Sequence, residues 1–282
     1  MSGLTVRRVV RAADIAGEAI LLACAGRAIL MQIALPPVGA GVAAHSDFAG
    51  RPMSRLKATL TYSYAAVLGN AADRAAVRTL VDRAHGPVHA SGTGVAGADD
   101  TVAYNAFDPD LQRWVAVTLY DSAVVAFESV FGPLDPAGAE AVLAGFAPLG
   151  TCLQVPADRW PADLAAYRAY RDATVARLEV TDRARRVAHA VLHPVTPWYL
   201  RAAAPLIGLL TAGYLDPTLR AAYDLPWDDR RQRRFDRLIA GLRVVYPRLP
   251  RRLRWWPCLH YLGQLRRGAA TTVAFGRASG DP

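Results

Sequence analysis

From residue 12 to residue 230 the apolar residues recur every three to four positions, and each run is cut by a proline or a glycine. No stretch alternates with period two over enough β-branched residues to build a sheet. That pattern restricts the chain to packed helices and sets an all-α fold class as the expectation. Residues 12–34 read as one long helix stopped by Pro36-Pro37, and Gly39, Gly41 and Gly50 mark a turn-rich loop. Ser54 is placed to cap a helix over 55–68, which Gly69-Asn70 ends. Residues 72–85 form the next helix, with Val77, Leu80, Val81, Ala84 and Val88 as its buried stripe. Residues 90–101 are a glycine-rich connection. Asp108-Pro109 opens a helix to Phe131, proline early as helix starts prefer, and Gly132-Pro133 breaks it. Helices at 136–146, one or two over 162–192, and one at 198–214 complete the reading.

A chain of 282 residues, 52% hydrophobic, is long and apolar enough for one large core. Residues 1–282 are therefore read as a single helical domain, with 230–282 as a basic C-terminal extension. The net charge is +9, carried almost entirely by arginine, since Lys57 is the only lysine. Cys24, Cys152 and Cys258 are far apart and form no C-x-x-C pair, which signals neither a disulfide framework nor a thiolate metal site and fits a reducing cytoplasm. Arg7, Arg8 and Arg11 before the apolar run 19–25 imitate a signal peptide, but Asp14, Glu18 and Arg27 interrupt it, so an amphipathic helix is expected. Arg201 and Pro205 break the other apolar run at 197–215, and no membrane span is predicted.

Three groups of polar residues interrupt the helical faces. Arg55 and Thr59 are four apart on one face, where they could hold an anion or polarise a bound oxygen species, or could simply edge the core. His85 sits on the buried stripe of its helix, and Gly86-Pro87 end that helix beside it. A neutral imidazole there could ligate a metal or be satisfied by a backbone carbonyl. His89 lies beyond the proline. His189 and His193 form a second pair, which could share a metal in a hydrolase. The chain's four glutamates form no E-x-x-H, which weighs against a di-iron carboxylate bundle. Phosphate-loop and nucleophile-elbow patterns are missing.

From Arg230 to Arg267 there are twelve arginines and one acid, Asp236, interleaved with Tyr246, Trp255, Trp256 and Tyr261. A solvated helix, a membrane-surface patch and a nucleic-acid contact all suit such a segment. Nucleic acid is the least favoured, because no recognition motif accompanies it. The expected location is the cytoplasm, with peripheral membrane contact through this region.

Several landmarks in order resemble one family. They are Gly26-Arg-Ala-Ile-Leu-Met-Gln32, Pro37-Val-Gly-Ala-Gly41, His45-Ser-Asp-Phe48, Arg55-x-x-x-Thr59, His85-x-x-Val88 and Tyr104-x-Ala106-x-Asp108-Pro109-x-Leu111-x-x-Trp114-Val115. Asp121-Ser122, Val155-Pro156-Ala157, Tyr167 and Asp216-Pro-x-Leu-Arg220-x-x-Tyr223-x-Leu225-Pro226-Trp227 continue the series. The set resembles the bacterial family that shares a catalytic domain with latex-clearing rubber oxygenases and the MpaB-type oxygenase. The resemblance implies an all-helical fold around haem b, whose iron is ligated by a histidine, here His85. It implies that Arg55 and Thr59 line the oxygen-binding side, and that the partners are dioxygen and a small apolar substrate, isoprenoid or otherwise unsaturated. A non-catalytic haem- or lipid-binding helical protein at membrane surfaces is the alternative. The chain departs from the family at Ala58, where rubber oxygenases carry lysine, at Ala116 after Trp114-Val115, and at Ala90, where His89 adds an imidazole that rivals His85 as ligand.

Overall fold

The computed structural model describes residues 9–45, 52–91, 102–195 and 197–268. Within them the protein is all-α. A short helix α1 (Ala12–Ile15) leads through a 3-10 segment (Ala19–Cys24) into α2 (Ala25–Ile33) and α3 (Pro36–His45). Then come α4 (Pro52–Leu68), α5 (Ala71–His85), α6 (Pro109–Phe131), α7 (Pro136–Phe146) and α8 (Pro148–Thr151). The second half holds α9 (Leu164–Val175), α10 (Asp182–Leu192), α11 (Trp198–Tyr214), α12 (Pro217–Ala222), α13 (Asp229–Val245), α14 (Arg251–Arg254) and α15 (Trp256–Arg266). Among the described residues the only strands are β1 (His89–Ala90) and β2 (Tyr104–Asn105), paired antiparallel with His89 opposite Asn105.

Helix α6 is the centre. Trp114, Ala116, Val117, Tyr120, Ala126 and Val130 are all buried along it, and the Trp114 indole N–H donates to the Met31 carbonyl at 3.2 Å. By length and composition α6 could cross a bilayer, a property the sequence reading missed because Asp110, Arg113 and Asp121 punctuate the apolar run. Here it is a core helix, and most of its apolar stretch is covered by the rest of the domain.

A buried ion pair ties α6 to its neighbours. Arg27 on α2 reaches Asp121 at 2.5 Å, donates to the Ser122 hydroxyl at 2.8 Å, and donates through Nε to the Tyr214 carbonyl at 3.0 Å. The Tyr167 hydroxyl donates to the other Asp121 oxygen. Helices α2, α6 and α9 thus meet at one carboxylate, α11 joins through the Arg27 guanidinium, and all three nitrogens of that buried cation have a partner.

The structure revises the sequence expectations at several places. Residues 12–34 are not one helix: the chain turns at 16–18, and Glu18 points inward. Pro36-Pro37 do not only stop a helix; they open α3, since the first turn needs no proline N–H. The expected loop at Gly39 and Gly41 is inside α3, while Gly50 lies outside the described residues. Gly39 is there because a Cβ would stand 2.4 Å from the Ile33 carbonyl oxygen. Helix α4 starts at Pro52, so Ser54 is not its cap. Residues 162–192 form two helices, and the connection over 90–101 begins in β1, with 92–101 outside the described residues.

The basic C-terminal region is built into the domain as far as Gly268. Tyr246, Cys258 and Leu262 are buried, and α15 packs on α4 and α5. Glu18, only 3% exposed, accepts from the Tyr246 hydroxyl and the Trp255 indole N–H, each at 2.9 Å, and pairs with Arg254 at 3.0 Å.

Candidate functional site

Helices α4 and α5 form a hairpin whose turn is dictated locally. A Cβ at Gly69 would lie 2.3 Å from the Ala65 carbonyl oxygen, so only glycine lets the chain fold back there. Asn70 then caps α5: its side chain accepts from the Asp73 N–H at 2.9 Å, and the Asp73 carboxylate accepts from the Asn70 N–H at 3.0 Å. Arg55 lies in the first turn of α4 and His85 is the last residue of α5. Each is roughly 20 Å of helix from the turn, at 1.5 Å per residue. The hairpin therefore brings both to the same end.

At that end is a cavity of about 630 Å³. Arg55, Thr59 and Tyr62 line it from α4, and Val81, Ala84 and His85 from α5. Gly41 and His45 of α3, Tyr104 of β2, and Leu111, Val115 and Leu119 of α6 close the other sides. The size suits a cofactor or small-molecule ligand, and the walls are mostly apolar. Several polar groups around it are already engaged. Gln32 donates to Thr118 at 3.0 Å, and the Tyr62 hydroxyl donates to the Leu149 carbonyl at 2.6 Å. Gln112 donates to the Ala106 carbonyl at 2.7 Å and accepts from the Gln154 N–H at 3.0 Å.

His85 behaves differently. Its Nδ1 is shut away from solvent and has no hydrogen-bond partner among the described residues. The ring meets Phe107 edge-on at 6.0 Å. Burial lowers its pKa below the ordinary 6.5; nearby Asp82 pulls it up in part, and the charge of Arg55 pushes it down. At neutral pH His85 is thus an uncharged imidazole with a lone pair to give. Burial also lowers the Arg55 guanidinium to about 10, which leaves it charged at neutral pH. Thr59 stands one turn further along the same face and keeps its exposure on the cavity side.

The structure brings Arg55, Thr59 and His85 to one cavity and leaves the other candidates outside it. His89 is exposed, its Nδ1 3.1 Å from the Gly86 carbonyl oxygen, and it is not among the cavity-lining residues. His189 and His193 stack at 4.4 Å away from the cavity, and no group of three His, Cys, Asp or Glu side chains fit to hold a metal occurs among the described residues. One pair was missed from sequence. His45 Nε2 and the Tyr104 hydroxyl lie 3.1 Å apart on the cavity wall. Both residues stood among the ordered landmarks, but 59 positions separate them and no spacing rule links them.

Residues 13–244 match the family described as ER-bound oxygenase mpaB/B′/rubber oxygenase, catalytic domain. The chain belongs to this family. An uncharacterised protein of Mycobacterium bovis and one of Mycobacterium tuberculosis are each 38% identical to this member over 230 residues, covering 79% of this chain and 88% of theirs. No solved structure matches. In this member of the oxygenase family, Ala58 and Ala116 are both buried outside the cavity walls, with Ala116 packed in the apolar core beside Val117 and Tyr120.

Proposed function

We propose that this protein is a haem b-dependent oxygenase acting on a small apolar, unsaturated substrate such as an isoprenoid. The observation that carries the reading is the convergence of Arg55, Thr59 and the neutral, half-buried His85 on a single cavity of about 630 Å³. The residues present suit such a group. The walls offer hydrocarbon for a flat macrocycle, and His85 offers one nitrogen as an iron ligand. The carboxylate clusters that non-haem iron needs do not occur among the described residues.

Haem, when bound, supplies the redox chemistry toward dioxygen. The chain's part is to hold and orient. His85 is kept uncharged by burial, so it is available as a ligand without first losing a proton. Arg55 brings a fixed positive charge and fork-shaped donors into a water-poor space, where a charge acts more strongly on a developing oxygen anion than it would in bulk water. Thr59 adds a hydroxyl on the same helical face. Val81, Val115 and Leu119 exclude water and accept the hydrocarbon of the substrate.

The test is an absorbance spectrum of the protein expressed with haem supplied. The expected result is a Soret band that His85→Ala abolishes and His89→Ala leaves intact. No Soret band, or full pigment in His85→Ala, overturns the reading. A pigment retained without oxygen uptake across a panel of unsaturated apolar compounds selects a non-catalytic haem-binding protein instead.

A further inference from the structure

The segment from the end of α13 to the start of α15 lies almost wholly beyond the family-matched residues, which stop at 244. Tyr246 and Cys258 are buried, but several of its other apolar side chains face outward. Val244, Val245 and Leu249 are exposed, and Leu253, Trp256 and Leu259 are 61%, 58% and 55% exposed. Leu249 precedes α14, Leu253 lies in α14, and Trp256 and Leu259 lie in the first turn of α15, so three consecutive segments each expose apolar side chains. Arginines border them. From Arg237 to Gly268 the chain carries eight arginines and no acid. Arg254 and Arg266 are paired with Glu18 and Asp73, whereas Arg248, Arg251 and Arg252 meet no carboxylate among the described residues. Arg251 lies over the Trp255 ring at 3.9 Å and remains exposed.

The segment is held in shape. The Trp255 ring packs so tightly on Gly17 that a Cβ there would come within 2.5 Å of it, and Glu18 ties down Tyr246, Arg254 and Trp255 together. The apolar residues are thus presented by a fixed support rather than by a loose tail.

We propose that this face docks on an anionic lipid bilayer, with Leu253, Trp256 and Leu259 entering the headgroup boundary and Arg248, Arg251 and Arg252 meeting the lipid charge. Charge complementarity selects the occupant. A second copy joined about a twofold axis would set the same unpaired arginines against each other. A nucleic acid would meet the arginines but give Leu253 and Leu259 no hydrocarbon to enter. A bilayer interface supplies both, and tryptophan and arginine favour that depth. The inference does not depend on what the cavity binds.

The experiment is co-sedimentation of the full chain with vesicles of phosphatidylcholine alone or with about 30% phosphatidylglycerol, a surface whose negative potential attracts basic segments. Partitioning is expected to be at least about tenfold stronger on the anionic vesicles, and to weaken as salt is raised. Arg251→Ala with Arg252→Ala is expected to lower it about 25-fold, about fivefold per arginine near the surface. Trp256→Ala with Leu259→Ala is expected to lower it at both lipid compositions. All four side chains are exposed, so unchanged thermal unfolding will separate lost docking from lost folding. Equal partitioning of wild type and variants, or no sedimentation with either vesicle, overturns the proposal. So does a dimer in solution that Trp256→Ala dissolves while vesicle binding is absent, or nucleic-acid retention by the arginines without vesicle binding.

Discussion

Arg55 and His85 face one cavity from the two free ends of a single helical hairpin, thirty positions apart in sequence. Burial lowers the basicity of both, and the positive charge of the first further suppresses protonation of the second. A cation and a neutral imidazole thereby line the same cavity.

Arg55→Leu is expected to keep the pigment and to lower oxygen uptake about 100-fold, the usual cost of removing one preorganised donor from a developing anion. Arg55→Lys is expected to recover only part of the loss, because it restores charge without the planar fork. Soret absorbance and an oxygen electrode read the two effects separately. Undiminished uptake in Arg55→Leu would show that the guanidinium serves packing alone.

Asp121→Ala is expected to destabilise the fold by about 3–5 kcal/mol, since it strands the buried Arg27 charge. Replacing both, as Arg27→Met with Asp121→Leu, is expected to cost less than Asp121→Ala alone. Urea midpoints of the wild type and the two variants check this, and a double variant no more stable than Asp121→Ala would contradict it.

Glu18→Gln removes the charge that holds Arg254 and keeps one acceptor oxygen, where the carboxylate used one oxygen for Tyr246 and the other for Trp255. A loss of about 2–3 kcal/mol is expected, in line with a partly buried pair losing one charge. Trypsin should then cleave faster at Arg248, Arg251 and Arg252, because their support is what loosens. Unchanged cleavage with lowered stability would place the effect elsewhere in the core.

Acid sensitivity follows from Asp73. Hydrogen bonds from Arg266 hold its carboxyl below the ordinary 3.8, the Asn70 N–H adds to this, and burial opposes it. Because the folded value lies below the unfolded one, the stabilisation is full above pH about 4 and is lost as pH falls through the folded value. Asp73→Asn is expected to melt below wild type at pH 7, with the gap closing toward pH 3. A gap of constant width would mean that the carboxylate charge contributes nothing.

Much of this architecture could be read from the residues in order. Gly69-Asn70, Gly86-Pro87 and Asp108-Pro109 each act within a few positions of themselves, and the helix ends they predict stand within one residue of where they are found. Arg55, Thr59 and His85 stand out for a similar reason, as polar residues on apolar faces, and all three line the cavity. The failures share a different cause. Glu18 breaks the expected 12–34 helix because its partners Tyr246, Arg254 and Trp255 are more than 220 positions away. Gly39 and Gly41 look like loop residues, yet they are small because Ile33 and Tyr104 crowd them inside a helix. His89 lies only four positions beyond His85, yet it is exposed and is not among the cavity-lining residues, a difference that spacing alone does not give.

The two-residue turn of the α4–α5 hairpin also makes its length a ruler. Adding or deleting one residue between Thr59 and Val81 would rotate one cavity-lining group by about 100° around its helix and slide it about 1.5 Å along the axis. Mutational drift in this chain can therefore change which side chains occupy the hairpin far more freely than how many there are, and the count of positions from guanidinium to imidazole becomes a heritable dimension of the pocket.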